Sequence, residues 1–456
     1  MIILDTTIVN VALPSIRADL GFDDASLAWV VNAYILTFGG FLLLGGRLGD
    51  VFGQRNVFLS GLTLFTGASL LCGLATSQGM LIVARALQGI GGAIMSAVSL
   101  ALVMTMFQAP AERARAMGFY AFIAAGGGTL GVLLGGVITD ALSWQWNFLI
   151  NVPIGVVALV ASTRLLPASS RSPRRLDIVG AALVTSALVI ATFAIVNSAS
   201  SGFTSVETLG GLALSLILIA IFLAVEAKVR DPLVPLSIFK IRGLSVASGV
   251  GVLWAAAMYA WFFLSALYMQ LVLGYGPLQV GLAFLAPNLI MGAFALGLSA
   301  KIVMRYGFRT PIAAGLGLAA VGLGLLAMAP ERGTYVQHVL PGMLFLGAGA
   351  GLAMNPVMLA AMKDVPPTDS GLASGVMNTA FMTGGALGLA ALAALAASRA
   401  ADAAATGATV TGALTAGYQA AFVAGAVLAA IAALLAATMF APGRVEDIAP
   451  HEAPIP

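Results

Sequence analysis

Charge is what this sequence has least of. Its 456 residues include 21 Lys and Arg and 18 Asp and Glu, 9% in all, where an ordinary soluble domain carries about 25%. A chain of this size cannot cover a water-facing surface with so few charges, which argues against a soluble enzyme, a nucleic-acid binder and a disordered chain. Cysteine is nearly missing. Cys72 stands alone, so neither an intrachain disulfide nor a cysteine metal cluster can form. The only histidines are His338 and His451, which argues against a histidine metal site. None of the four lysines, Lys228, Lys240, Lys301 and Lys363, follows a glycine. A Walker loop is therefore lacking, and ATP-driven transport by this chain with it. Clustered intramembrane carboxylates are lacking too, so a membrane protease or metalloenzyme has no chemistry to use. Neither a metal nor any other cofactor is expected.

What the sequence has in quantity is apolar surface. Hydrophobic residues make up 60%, and the mean hydropathy is +1.03. The solvent for such a surface is lipid. Fourteen stretches, each about the 20 residues that a bilayer-spanning helix needs, run over 1–14, 27–46, 57–76, 80–106, 115–139, 147–166, 177–197, 207–227, 244–271, 278–300, 311–329, 336–361, 371–398 and 417–440. No polar segment between them is long enough to fold alone. The expected fold is an all-α membrane protein.

Basic residues alternate from loop to loop. Arg47, Arg55, Arg113, Arg115, Arg164, Arg171, Arg174, Arg175, Lys228, Arg230, Lys240, Arg242, Lys301, Arg305, Arg309, Lys363 and Arg444 fall on one side, whereas the opposite loops hold only Arg17, Arg332 and Arg399. The positive-inside rule makes the first side cytoplasmic and, with an even number of spans, places both ends there, in a plasma (inner) membrane. The first stretch is short: Met1 to Leu13 gives a helix of about 20 Å against a hydrocarbon core of about 30 Å. The expectation is that roughly 10–20 residues precede this numbering. A short first helix in a locally thinned membrane is the alternative.

Glycines mark an internal repeat. Gly118, Gly127 and Gly131 recur as Gly375, Gly384 and Gly388, and Gly89 and Gly91 as Gly347 and Gly349. The nearly equal offsets, 257 and 258 residues, suggest two homologous six-helix bundles, over 1–166 and 244–440, with two inserted helices over 177–227 and a tail over 441–456. Parallel halves of six helices describe one large transporter architecture.

Four local patterns carry a family resemblance: LDTTIVNVALP (Leu4 to Pro14), GGRLGDVFGQR (Gly45 to Arg55), ARALQGIGGA (Ala84 to Ala93), and the glycine row Gly118, Gly127, Gly131, Gly135, Gly136 followed by WQWNFLINVPIG (Trp144 to Gly155). Together they resemble the major facilitator superfamily, specifically its fourteen-helix drug:proton antiporter branch. The resemblance implies secondary active transport, with efflux of amphiphilic drugs or antibiotics in exchange for protons, by a chain that works as a monomer. Its partners would be the bilayer, protons and a small amphiphilic substrate, with neither nucleic acid nor ATP. A proton-coupled uptake symporter or metabolite exporter of the same fold is the first alternative. A non-transporting receptor or a channel is the second.

Asp5 and Arg85 are the expected proton-coupling residues. An acid deep in a span costs about 2.5–3.5 kcal/mol and is functional by default. A carboxylate capping its own helix end is the plain alternative. A buried guanidinium needs a partner or water; Gln88, one helical turn on, is placed to share its polar network, and the alternative for Arg85 is snorkelling to the interface. Gly46, Arg47, Asp50, Gly53 and Arg55 form the expected gating loop, with Asp50 near the start of the third span, where the helix dipole favours an anion. Val51 and Gln54 stand where the family usually has basic residues, and Arg305, Tyr306, Gly307 and Arg309 form a weak second copy. Plain positive-inside topology is the alternative reading. The glycine row resembles an export-direction signature, although Val132 replaces the proline that normally follows its third glycine. Close helix packing is the other use of such a row. The candidate substrate cavity is Trp254, Met258, Trp261, Ser265 and Tyr268 on span nine, Met354, Asn355 and Met358 on span twelve, and Asn10, Asn32, Tyr34 and Gln88 in the first half. Aromatic rings and methionines suit bulky ligands of variable shape, and they suit lipid-facing or packing positions equally.

Overall fold

The computed structural model describes residues 1–23, 26–106, 127, 131, 133–166, 177–202, 204–229, 232, 234–294, 298–366 and 370–440. The described residues form helices and connecting turns, with no strand among them. The principal helices are α1 (Ile2–Leu20), α2 (Trp29–Phe52), α3 (Gln54–Gly73), α4 (Gln78–Met106), α5 (over 133–141), α6 (Asn151–Leu165), α7 (Ile178–Ser201), α8 (Val206–Glu226), α9 (Arg242–Leu267), α10 (Pro277–Ala293), α11 (Arg309–Ala327), α12 (Leu340–Met362), α13 (Ser370–Ala405) and α14 (Val410–Met439). By length and composition, ten helices among the described residues can cross a membrane.

The first helix is longer than its apolar stretch. Pro14 lies inside α1, which continues to Leu20 and ends only where Gly21 turns left-handed at φ 73°. Proline removes one backbone donor without stopping the helix here. Nineteen residues span about 28 Å, and the helix runs six residues past the apolar stretch 1–14. The turn between α2 and α3 is tight. It consists of Gly53 alone, at φ 88°, a backbone conformation that glycine adopts without steric penalty.

Side-chain caps start α7, α8 and α14. Asp177 Oδ1 accepts from the Gly180 amide at 2.7 Å, Ser205 Oγ from Thr208 at 3.1 Å and Thr409 Oγ1 from Gly412 at 3.0 Å. Each satisfies one of the donors that a helix N-terminus leaves unpaired.

Small residues set the helix packing, as expected where lipid supplies no hydrophobic drive between helices. A Cβ on Gly91 would meet the Gly61 carbonyl of α3 at 2.9 Å, and one on Gly349 would meet the Gly315 carbonyl of α11 at 2.5 Å. Gly89 lies against Tyr34 of α2, and Gly347 against Pro287 of α10. In the same way Gly131 and Gly135 of the α5 segment abut Leu4 and Ile8 of α1, while Gly384 and Gly388 of α13 abut Val252 and Ala256 of α9. The glycine offset in the sequence thus corresponds to two matching sets of close helix approaches.

The two sets meet along α1, α2, α9, α10 and α13. Gln270 Nε2 donates to the Val11 carbonyl at 3.0 Å, Thr379 Oγ1 to the Gly39 carbonyl at 3.3 Å, and Gly136 faces Pro277 and Leu278. Helix α7 packs against both α2 and α13, with Gly40 seated on Thr185. Helix α8 lies outside α7, fixed by a Ser215 Oγ donation to the Ala187 carbonyl at 2.8 Å. Leu209, Leu216 and Ile217 of α8 are each more than half exposed, the apolar outer face of a lipid-contacting helix.

Candidate functional site: a buried ion pair between the first and fourth helices

Asp5 and Arg85 are both completely buried. Arg85 Nη1 lies 2.5 Å from Asp5 Oδ2. The same nitrogen donates to Gln88 Oε1 at 2.6 Å, and Arg85 Nε donates to the Val30 carbonyl of α2 at 2.8 Å. The guanidinium carbon sits 4.4 Å from the centroid of the Tyr34 ring and 5.6 Å from that of Phe148, within the range of a cation–π contact. Asp5 Oδ1 accepts from Gln88 Nε2 at 2.8 Å and from Asn151 Nδ2 at 3.0 Å, and Gln88 Nε2 also donates to Ser69 Oγ at 2.9 Å. Five helices, α1, α2, α3, α4 and α6, therefore contribute to one polar cluster.

Local structure explains the convergence. Arg85 and Gln88 are three residues apart on α4, neighbours on one helix face. Asp5 lies in the first turn of α1, yet its carboxylate accepts from other helices rather than from its own. This geometry excludes the helix-capping alternative for Asp5. Complete burial excludes snorkelling for Arg85.

Gln88 joins the ion-pair cluster, the second of the two places expected for it, and so does the ring of Tyr34. Asn10 turns its amide back onto the Thr6 and Thr7 carbonyls, at 3.2 and 3.4 Å. Asn32 is fully buried, and neither of its amide atoms has a hydrogen-bond partner among the described residues. Trp254, Trp261, Ser265 and Tyr268 are buried and Met258 half-buried, whereas Met354 and Asn355 are exposed and Met358 half-buried. Tyr268 is the last position of that face still in α-helical register. It begins the π-helical extension Tyr268–Val272 of α9, and its hydroxyl donates to the Pro330 carbonyl at 2.7 Å. The hydrogen bond across to the loop after α11 anchors this tyrosine at the helix end.

The expected gating loop is mostly helix. Gly46, Arg47 and Asp50 lie in the last turns of α2, so Asp50 precedes the α2–α3 turn rather than opening α3. The side chains of Arg47 and Asp50 lie outside the described residues. Arg55 Nη2 donates to the Thr163 carbonyl at 2.5 Å and ties α3 to α6. Of the glycine row, Gly118 lies outside the described residues, as does Val132. Gly127 abuts Ile3, so Gly127, Gly131 and Gly135 all pack on α1, the helix that carries Asp5. Gly136 faces α10 instead.

Sequence reasoning did not single out Asn151 or Ser69. Asn151 lies within the Trp144–Gly155 stretch that carried the resemblance, and its amide at the start of an apolar helix is the available signal. Ser69 offered none, because single hydroxyls recur throughout apolar helices.

A family model described as Major Facilitator Superfamily matches residues 1–389. The chain belongs to the major facilitator superfamily. Among its relatives, the puromycin resistance protein of Streptomyces alboniger is 39% identical over 398 residues, covering 86% of this chain and 78% of the relative. The cephamycin export protein of Amycolatopsis lactamdurans is 39% identical over 397 residues, 86% of this chain and 82% of the relative. The lincomycin resistance protein of Streptomyces lincolnensis is 36% identical over 394 residues, 86% of this chain and 80% of the relative. Among solved structures, an auto-inhibited POT family peptide transporter matches with a TM-score of 0.66 at 16% identity, over 96% of both chains. The human organic anion transporter MFSD10 matches with a TM-score of 0.64 at 16% identity, over 95% of this chain and 96% of that one. These structures share the fold of this facilitator-family, multi-pass membrane protein.

Proposed function

We propose that this transporter exports amphiphilic compounds such as antibiotics in exchange for protons, by alternating access between two six-helix bundles. The relatives named for puromycin, cephamycin and lincomycin supply the substrate class. The observation that carries the coupling is the buried Asp5–Arg85 pair. In the proposed topology fourteen spans cross the inner membrane, α7 and α8 are the inserted pair, and both ends are cytoplasmic.

The cluster is suited to switching. With Asp5 charged, Arg85, Gln88 and Asn151 all donate to its carboxylate. When Asp5 takes a proton its charge is lost, yet Arg85 keeps the Val30 carbonyl, Gln88 Oε1 and the Tyr34 ring as partners. Those partners are neutral, so protonation leaves the buried guanidinium without a counter-charge, a cost that a change of conformation can relieve. Protonation then weakens the tie between α1 and α4 without unfolding the site. In the cycle, charged Asp5 favours the inward-facing, substrate-loaded state, and protonation from outside favours release and return. Each charge moved across the field is worth about 2.3 kcal/mol per 100 mV.

The test is efflux from cells expressing the chain and uptake into inverted vesicles under an imposed pH gradient, across a panel of amphiphilic antibiotics. Accumulation that depends on the gradient and collapses with a protonophore is expected. Uptake into right-side-out vesicles with protons would establish the symporter alternative, and non-saturating flux a channel.

A further inference from the structure

A cavity lies away from the ion pair, at the end of the molecule whose loops carry few basic residues. Its volume is about 830 Å³, within the range of about 300–1,000 Å³ for small-molecule sites. Arg17 and Asp23 stand at it, Trp29 and Ile82 belong to its α2 and α4 side, and Phe193 and Val196 form its α7 wall. Alanines of α13 and the first turns of α14 complete the lining. None of the residues of the expected substrate cavity takes part.

Two features give this cavity a bearing on transport. Trp29 immediately precedes Val30, whose carbonyl holds Arg85, and Ile82 lies one helical turn before Arg85 itself. A ligand seated on Trp29 and Ile82 therefore presses on the turns of α2 and α4 that hold the guanidinium. The second feature is α7. It belongs to the inserted pair, and with Phe193 and Val196 it walls a space that also touches α1, α2 and α4 on one side and α13 and α14 on the other.

We infer that this cavity is a second binding site, on the outer face, for an aromatic amphiphile of drug size, and that the inserted helix α7 builds one of its walls. The apolar body of the ligand lies against Trp29, Ile82, Phe193 and Val196, and its polar end meets the Arg17 and Asp23 rim. The assignment of an outer face rests on the proposed topology, and the role of the site as a station on the export path rests on the proposed function. Occupancy itself can be measured without either.

The experiment uses the purified full chain in lipid nanodiscs with Cys72→Ser, which removes the single native thiol. Phe193→Cys, Ala401→Cys on the facing α13 wall, and Ile217→Cys on the outer face of α8 are each labelled with a maleimide, with and without tetraphenylphosphonium. The site predicts saturable slowing, five-fold or more, at Phe193→Cys and Ala401→Cys and none at Ile217→Cys. Unchanged labelling at the two wall positions overturns it. Equal slowing at all three overturns it too, because the probe is then only dissolving in the bilayer. Wall cysteines that label in detergent but not in probe-free nanodiscs show lipid filling the space, and that also overturns the site. The measurement needs no gradient, so failure of proton-driven export leaves its outcome readable.

Discussion

Arg85 Nη1 and Asp5 Oδ2 lie 2.5 Å apart with both side chains wholly buried, joining positions eighty residues apart in the chain. A buried pair of this kind adds little net stability over an apolar core, but breaking it is expensive. Removing one partner leaves a charge in low dielectric, at a penalty of about 3–5 kcal/mol.

Arg85→Ala should therefore destabilise the protein by about that amount, read as a lower melting temperature in detergent. Arg85→Lys should fold but lose at least about tenfold in transport, because an ammonium cannot reproduce the planar fork that serves Asp5, Gln88 and the Val30 carbonyl together over Tyr34. A lysine variant with normal transport would mean that charge alone is what the site requires.

Glycines that look alike in sequence should respond oppositely. A Cβ at Gly131 would meet the Leu4 carbonyl at 2.8 Å and the Leu4 Cα at 3.2 Å, and backbone cannot yield cheaply. Gly131→Ala should destabilise by about 1–3 kcal/mol. Gly67 of α3 has nothing within 4 Å of its added Cβ, so Gly67→Ala should be neutral or stabilising by up to about 1 kcal/mol through helix propensity. Thermal unfolding of the two variants side by side checks both signs.

The loop after α11 offers a pH test. The hydroxyls of Thr411 and Thr409 donate to Glu331 Oε1 and hold this carboxyl below its ordinary value of 4.5. Thr411 is the larger cause. A lowered folded-state value contributes stability above the unfolded value and loses it as pH falls through the folded one. Any melting-temperature advantage of the native protein over Thr411→Val should therefore be present at pH 7 and should shrink below about pH 4. It should be small, since Glu331 is only half-buried and solvent screens it. A gap that widens in acid would contradict the assignment.

Much of the helix order was legible because composition dictates it: a span must be apolar, and its loops carry the charge. Asp5 and Arg85 were legible for the same reason, as ionisable residues in spans that lipid would reject without a use for them. The extent of α1 was hidden by Pro14, which reads as a stop in sequence yet sits inside the helix. Asp50 was misplaced because α2 runs past its apolar stretch to Phe52 and turns at Gly53 alone, so Asp50 ends one helix and does not open the next. Asn151, Ser69 and the Val30 carbonyl are matters of three-dimensional convergence. Nothing local distinguishes a serine that meets Gln88 from one that bonds only its own helix.

The most direct test of proton coupling through Asp5 is Asp5→Asn in proteoliposomes under an imposed pH gradient. Asparagine keeps the shape of the side chain and much of its hydrogen bonding while removing its proton exchange. The expected result is a protein that elutes as a single folded species and still binds its amphiphilic substrate but no longer accumulates it in response to the gradient. Gradient-driven export at the unsubstituted rate by the folded variant would contradict it.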